Sequence, residues 1–307
     1  MLSSFFTIFQ KAIILFIMIS VGYFCGKTGM ITKRGSRQIN AILLNVVTPC
    51  LIVSSLQSMI GKIGIHNLMS ASFWSMIAIG LSVLVSMLFF RKNPDHQKKI
   101  LRFAAGYSNS GFMGIPLVEA VFGSTGVAYA AMYNVVFNFF IWTHGIMSIS
   151  NKKTFEYKKI ICNPGIMGLL IAFPLFAFSF KLPDIVAFPI DYFASMNTPL
   201  AMIVVGNYIS GIKLRELFID RDLYKLSVIR LILIPCLTLA VMLPFHIEKT
   251  IASATLLLCS APTAAITAMF AVQFGGDAKL AAKSVALTTL LSVATMPFFC
   301  ALAKQLF

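Results

Sequence analysis

Apolar residues run along this chain in long unbroken blocks, without the alternation of half-buried strands or the charged stripe of surface helices. Ten blocks stand out: 5–26, 38–58, 68–90, 100–122, 125–149, 160–180, 189–210, 225–245, 250–273 and 281–303. Each is about the 20 residues that an α-helix needs to cross a hydrocarbon core. The pattern therefore predicts an all-α membrane protein with ten transmembrane helices. The fourth and fifth blocks part only at Gly123-Ser124, and the ninth, rich in small residues, is the weakest by hydropathy.

Composition supports this reading. The chain has 307 residues, 58% of them hydrophobic and 11% charged, where a soluble domain carries about a quarter charged residues. Ten helices use about 200 residues, which leaves little for a soluble domain. The net charge of +15 suggests nucleic acid on a soluble chain, but here the basic residues flank the apolar blocks and no nucleic-acid motif accompanies them. Nineteen of the 25 Lys and Arg fall in alternate loops, at 27–37, 91–102, 152–159, 213–225 and 279–283. Five lie on the opposite side (Lys11, Lys62, Lys181, Lys249 and Lys304), and Arg230 lies inside a block. By the positive-inside rule the rich loops are cytoplasmic. Both termini are then expected on the non-cytoplasmic side of a plasma or inner membrane.

The N-terminus lacks a basic leader and cleavage site, so block 5–26 is expected as a retained first helix. Six cysteines, none in a CxxC pair, read as small packing residues. No Walker-type loop, HExxH motif or intramembrane acid pair occurs, and His66, His96, His144 and His246 are scattered. The expectation is no enzyme, no cofactor, no metal and no direct use of ATP.

Short strings recur at a fixed spacing. Thr48-Pro49 and Thr198-Pro199 are 150 residues apart, and Phe122-Gly123 and Phe274-Gly275 are 152 apart. The chain then divides into two five-helix repeats, 1–150 and 151–307. An odd number of helices per repeat makes the two inverted, a construction that supplies alternating access in transporters.

Solute sites in such proteins lie where helices are interrupted near the midplane. The fourth block contains Ser108-Asn109-Ser110-Gly111-Phe112-Met113-Gly114-Ile115-Pro116 near its middle. Pro116 removes a donor and disfavours helix at Ile115, while two glycines relax the chain. A break here leaves free N–H groups around Ile115 and Pro116 at the positive end of the following half-helix, a site for a carboxylate. Ser108, Asn109 and Ser110 add neutral donors. The plainer alternative is a proline kink with Asn109 bonded to a neighbouring helix.

In the ninth block the repeat spacing sets Pro116 opposite Thr267 or Ala268 and not opposite Pro262, so the second break is less sharply specified. Thr48, Pro49 and Asn197 join the candidate substrate-binding set, with Gly114 and Thr267, and Asn45 and Asn207 are further candidates to line the crossing. Glu119, one turn past Pro116, is a candidate for a coupling proton or cation, or for a structural vestibule role. Arg230 lies roughly 7 Å past Lys225 at the rise of a helix. It either snorkels, forms a structural ion pair, or pairs with an anionic substrate. His144 reads as a hydrogen-bonded lone histidine, and Asn134 and Asn138, one turn apart, as bonds between helices.

At 109–123, NSGFMGIPLVEAVFG, the sequence resembles the auxin efflux carrier family, which includes plant auxin carriers and bacterial malonate/malate-type permeases. Pro49, Arg230 with Pro235, and Gly275-Gly276-Asp277 extend the resemblance over most of the chain. The resemblance implies ten helices with the fourth and ninth broken and crossing, and an Asn, here Asn109, that binds the substrate carboxylate. It also implies motion of helices three to five and eight to ten against one, two, six and seven, and it carries the expectation of a homodimer. The third block lacks the acid of the plant support site, and the long plant loop is absent, which argues against auxin as substrate. The expected function is secondary-active transport of a small organic anion across the lipid bilayer. A channel-like uniporter and a sodium-coupled symporter of bile-acid type are the alternatives.

Overall fold

The computed structural model describes residues 2–150, 164–211, 217 and 219–307. Among these residues it is helical throughout, with one isolated β-bridge and no strand. The helices are α1 (Leu2–Lys27), α2 (33–57), α3 (Ile65–Leu88), α4 (Asp95–Gly106), α5 (110–122), α6 (124–149), α7 (Pro164–Ala177), α8 (Asp184–Ser195), α9 (Asn197–Ser210), α10 (Arg221–Met242), α11 (Lys249–Cys259), α12 (Ile266–Gln273) and α13 (Ala278–Leu306). Four helices among the described residues are long and apolar enough to cross a bilayer: 34–57, α3, α10 and α13.

Over the described residues every apolar block is helical, but three of these blocks are in two pieces. The fourth divides into α4 and α5, the seventh into α8 and α9, and the ninth into α11 and α12. Lys152, Lys153, Lys158, Lys159, Lys213, Arg215 and Cys162, and the start of the sixth block, lie outside the described residues. The other five cysteines are free thiols.

Proline explains much of the local geometry. A proline ring clashes with the carbonyl four residues back and lacks a donor. Pro49, Pro116 and Pro235 each sit two residues after a wide π-turn, at Leu43–Val47, Ser110–Gly114 and Ile229–Leu233. The extra residue in the turn carries the carbonyl away from the ring. A fourth wide turn, Ile141–Gly145, contains His144 and no proline.

Glycine sets the closest contacts. A Cβ at Gly206 of α9 would lie 2.0 Å from the Ile19 carbonyl oxygen of α1, and one at Gly22 would lie 2.2 Å from the Ile203 oxygen. The α1 and α9 backbones thus touch, as small residues allow in membranes. Asn207 fastens the end of this pair by donating to the Ile31 carbonyl at 2.8 Å. The second half of α2 packs on α7 and α8, with Pro49 against Gly168. Further packing joins α3, α4, α6, α11 and α13, around a buried core that includes Phe103, Tyr107, Tyr133, Leu257 and Leu287 and is continuous with Leu56 of α2 and Phe176 of α7.

Candidate functional site

The two short breaks, 107–109 and 260–265, meet. Asn109 N–H donates to the Pro262 carbonyl at 2.6 Å, and Ala264 N–H donates to the Tyr107 carbonyl at 2.9 Å. These bonds flank an antiparallel bridge between Ser108 and Thr263. Irregular backbone inside a membrane protein must find partners in the protein, because lipid offers none. Here each break supplies part of what the other lacks.

Side chains complete the set. Thr263 Oγ1 donates to the Ala104 carbonyl at 2.9 Å, and Thr263 N–H donates to Thr288 Oγ1 at 3.1 Å. Arg230, with no exposed surface, sends Nη1 to the Ala105 carbonyl at 2.9 Å and Nη2 to the Cys259 carbonyl. Ala105 and Cys259 stand at the C-terminal ends of α4 and α11. Both ends carry free carbonyls and partial negative charge, so one guanidinium neutralises two helix ends. The ion pairs among the described residues do not include Arg230.

What stays open faces one way. The first-turn amides of a helix have no acceptor inside it; in α12 those of Thr267 and Ala268 bond back to the Ala264 and Ala265 carbonyls, which leaves that of Ile266, beside those of Gly111 and Phe112 in α5. Gly111, Phe112 and Ile266 from those turns, with Ala265 of the second break, line a cavity of about 80 Å³. Asn109 lines it too, 3% exposed, with a buried Nδ2 that has no partner. Opposite them stand Leu44, Thr48 and Leu51 of α2 and Asn197 at the start of α9. No charged side chain lines the cavity among the described residues. It is far smaller than the roughly 300 Å³ at which drug-sized pockets begin.

A second, larger cavity of about 640 Å³ lies beyond it, lined by Ser54, Gln57, Glu119, Asp191 and Thr198. Leu51 and Asn197 line both cavities and mark the junction between them.

The family described as membrane transport protein matches residues 7–157 and 148–300, nearly the whole chain. The chain belongs to this family, that of the auxin efflux carriers. It is 26% identical over 288 residues to an uncharacterized transporter of Methanothermobacter thermautotrophicus, covering 92% of this chain and 94% of that one. An uncharacterized transporter of Methanocaldococcus jannaschii is 22% identical over 291 residues, covering 92% and 94%. A Rhizobium meliloti protein named "Putative malonate transporter" is 26% identical over 220 residues, 68% of each chain. The protein is thus a multi-pass membrane transporter and not an enzyme.

In this auxin efflux carrier family member the expected residues separate into groups. Ser108, Asn109, Thr48 and Asn197 meet at the small cavity. Ser110 stands just behind it, and its hydroxyl donates to Asn134 Oδ1 at 3.1 Å. Gly114 packs against Leu258, which a Cβ there would meet at 2.7 Å. Pro49 packs on α7, and Pro116 lines neither cavity. Ile115 and Glu119 face the larger cavity. Thr267 is buried beside the crossing without lining the cavity, and its hydroxyl has no partner.

Five expectations change. The break lies at 107–109, not around Ile115 and Pro116, because Pro116 is tolerated in the first turn of a helix. Ile115 N–H is taken by the Ser110 carbonyl, so the open amides are those four or five residues earlier. Pro262, which the repeat spacing set aside, lies at the centre of the second break. Arg230 neither snorkels nor faces the cavity. Asn138 donates to the Asn134 carbonyl of its own helix at 2.9 Å, and exposed Asn45 donates to the Ala41 carbonyl.

Phe112, Phe137, Asn138 and Met269 also line the cavity. The sequence marked Asn138 only as a partner for other helices and read Met and Phe as packing, since periodicity cannot separate a cavity wall from a packed face. His144 Nδ1 lies 2.9 Å from the Tyr107 hydroxyl, which donates to the Phe140 carbonyl at 3.1 Å.

Proposed function

We propose that this chain is a secondary-active carrier of a small organic anion, a carboxylate, working by alternating access around the crossing of 107–109 with 260–265. One observation supports the reading above all others. Two half-helix first turns and the unpartnered Asn109 amide converge on one small cavity that holds no acid. Aligned amides and a positive dipole end favour an anion without any charged ligand.

On this reading ten spans form two inverted five-helix repeats, 1–150 and 151–307. The left-handed glycines Gly123 and Gly275 (φ 61° and 70°) end equivalent broken helices, which supports the repeat. α3 to α6 with α10 to α13 move against α1, α2 and α7 to α9. The substrate set is Asn109, Ser108, Thr48 and Asn197 with the amides of Gly111, Phe112 and Ile266. Ser110, Gly114, Ile115, Pro116, Pro49 and Thr267 shape that set from behind. Glu119 belongs to the vestibule. The basic loops face the cytoplasm, so both termini lie outside, and the larger cavity opens outward.

The test is uptake of labelled short mono- and dicarboxylates, malonate and malate included, into proteoliposomes. Wild type is expected to accumulate at least one acid in competition with the others. Asn109→Ala removes a donor to an ionised group, a loss of about 1.5–3 kcal/mol, and is expected to raise KM roughly 10- to 100-fold. Unchanged uptake by a folded Asn109→Ala variant would remove that residue from the site, and no uptake of any acid by wild type would overturn the reading.

A further inference from the structure

The small cavity holds no formal charge, yet a cation lies immediately behind it. Arg230 is fully buried and bridges the terminal carbonyls of α4 and α11. Those carbonyls stand just before the two breaks, one on either strand of the crossing. Its Nε is buried without a partner. The titratable groups set around it are the Tyr133 hydroxyl of α6 and the Cys259 thiol of α11, whose sulfur lies 4.0 Å from Nη2. No carboxylate pairs with it among the described residues.

We propose that Arg230 is the positioning and charge-selecting residue of this transporter: it spaces the two half-helix ends so that both following first turns aim at one solute, and its charge makes a neutral-walled cavity prefer an anion. The inference rests on the carboxylate reading above and adds to it the source of the selectivity.

The spacing of the two helix ends suits arginine in particular. A planar guanidinium reaches two carbonyls in fixed directions, whereas an ammonium is a point charge on a flexible stem. Helix dipoles alone do not supply the same field at the cavity. The negative ends of α4 and α11 lie at the crossing beside the positive ends of α5 and α12, and the two sets oppose each other. The guanidinium cancels the negative pair and leaves the positive pair uncompensated. In a medium of low effective dielectric that difference acts over several ångströms.

The experiment compares wild type, Arg230→Gln and Arg230→Lys in proteoliposomes. Folding is checked by monodispersity and melting in detergent. Uptake of a carboxylate identified with the wild type is measured in competition with its uncharged amide analogue. The expected result for Arg230→Gln is a loss of about tenfold or more in preference for the acid over the amide. Arg230→Lys is expected to restore much of the preference near pH 6 and to lose it reversibly towards pH 9. A buried lysine gives up its proton readily, whereas arginine stays charged, so the wild type should show no such profile in the same buffers. A packing role alone would not create that pH dependence.

A folded Arg230→Gln with unchanged preference, or a flat pH profile in Arg230→Lys, overturns the inference and leaves the carboxylate reading standing. Absence of carboxylate uptake by wild type removes both.

Discussion

At the crossing, single residues close a hydrogen-bond account that the backbone opens. Thr263 is the clearest case, since its hydroxyl donates to the Ala104 carbonyl while its own N–H reaches Thr288. Thr263→Val keeps the shape and removes the donor. A buried carbonyl left unmatched costs about 1–3 kcal/mol. The variant is expected to melt several degrees lower in detergent and to take up substrate more slowly. Equal melting would mean that the Ala104 carbonyl finds another donor. Asn109 differs in kind, because its Nδ2 is buried with nothing to satisfy it. Buried donors without partners are rare in native proteins, and on the proposed reading a solute carboxylate would satisfy this one.

At the scale of the element, the broken helices end on glycine for a conformational reason. Gly123 has φ 61° and ψ −155°, a region open only to glycine. No neighbouring atom lies within 4 Å of the place where an added methyl group would stand. Gly123→Ala therefore strains the backbone without any clash and is expected to cost about 1–3 kcal/mol, read as a lower melting temperature. If the variant melts like wild type, the turn between α5 and α6 has another accessible path. Pro116 shows why the sequence misplaced the break. Its ring forbids a regular interior turn, and either a true break or a wide turn satisfies that demand. The chain takes the wide turn at 110–114 and opens just before it, at 107–109, where Ala264 and Pro262 supply partners.

For the whole molecule, α2 and α12 touch where Asn40 Nδ2 meets Met269 Sδ at 2.8 Å. The proposed alternating access requires that contact to part, because the proposal assigns α2 and α12 to different moving groups. The pair N40C and M269C is expected to abolish uptake when oxidised and to regain it with reductant. Uptake that survives a complete crosslink would show that these helices travel together. The direct contact of α1 and α9 through Gly22 and Gly206 marks the opposite case, two helices seated too closely to slide.

The sequence by itself determined the ten apolar blocks, their helical state and the family, because apolar length and a specific string such as 109–123 are local properties. It also picked out Asn109, Ser108, Thr48 and Asn197, which the fold gathers at one cavity. Only the tertiary structure decided where the helices open and what Arg230 does. A backbone break is stable where a second break answers its hydrogen bonds, and residues 107–109 and 260–265 are more than 150 positions apart. The same holds for the guanidinium, whose two acceptors come from separate helices that no local pattern could pair.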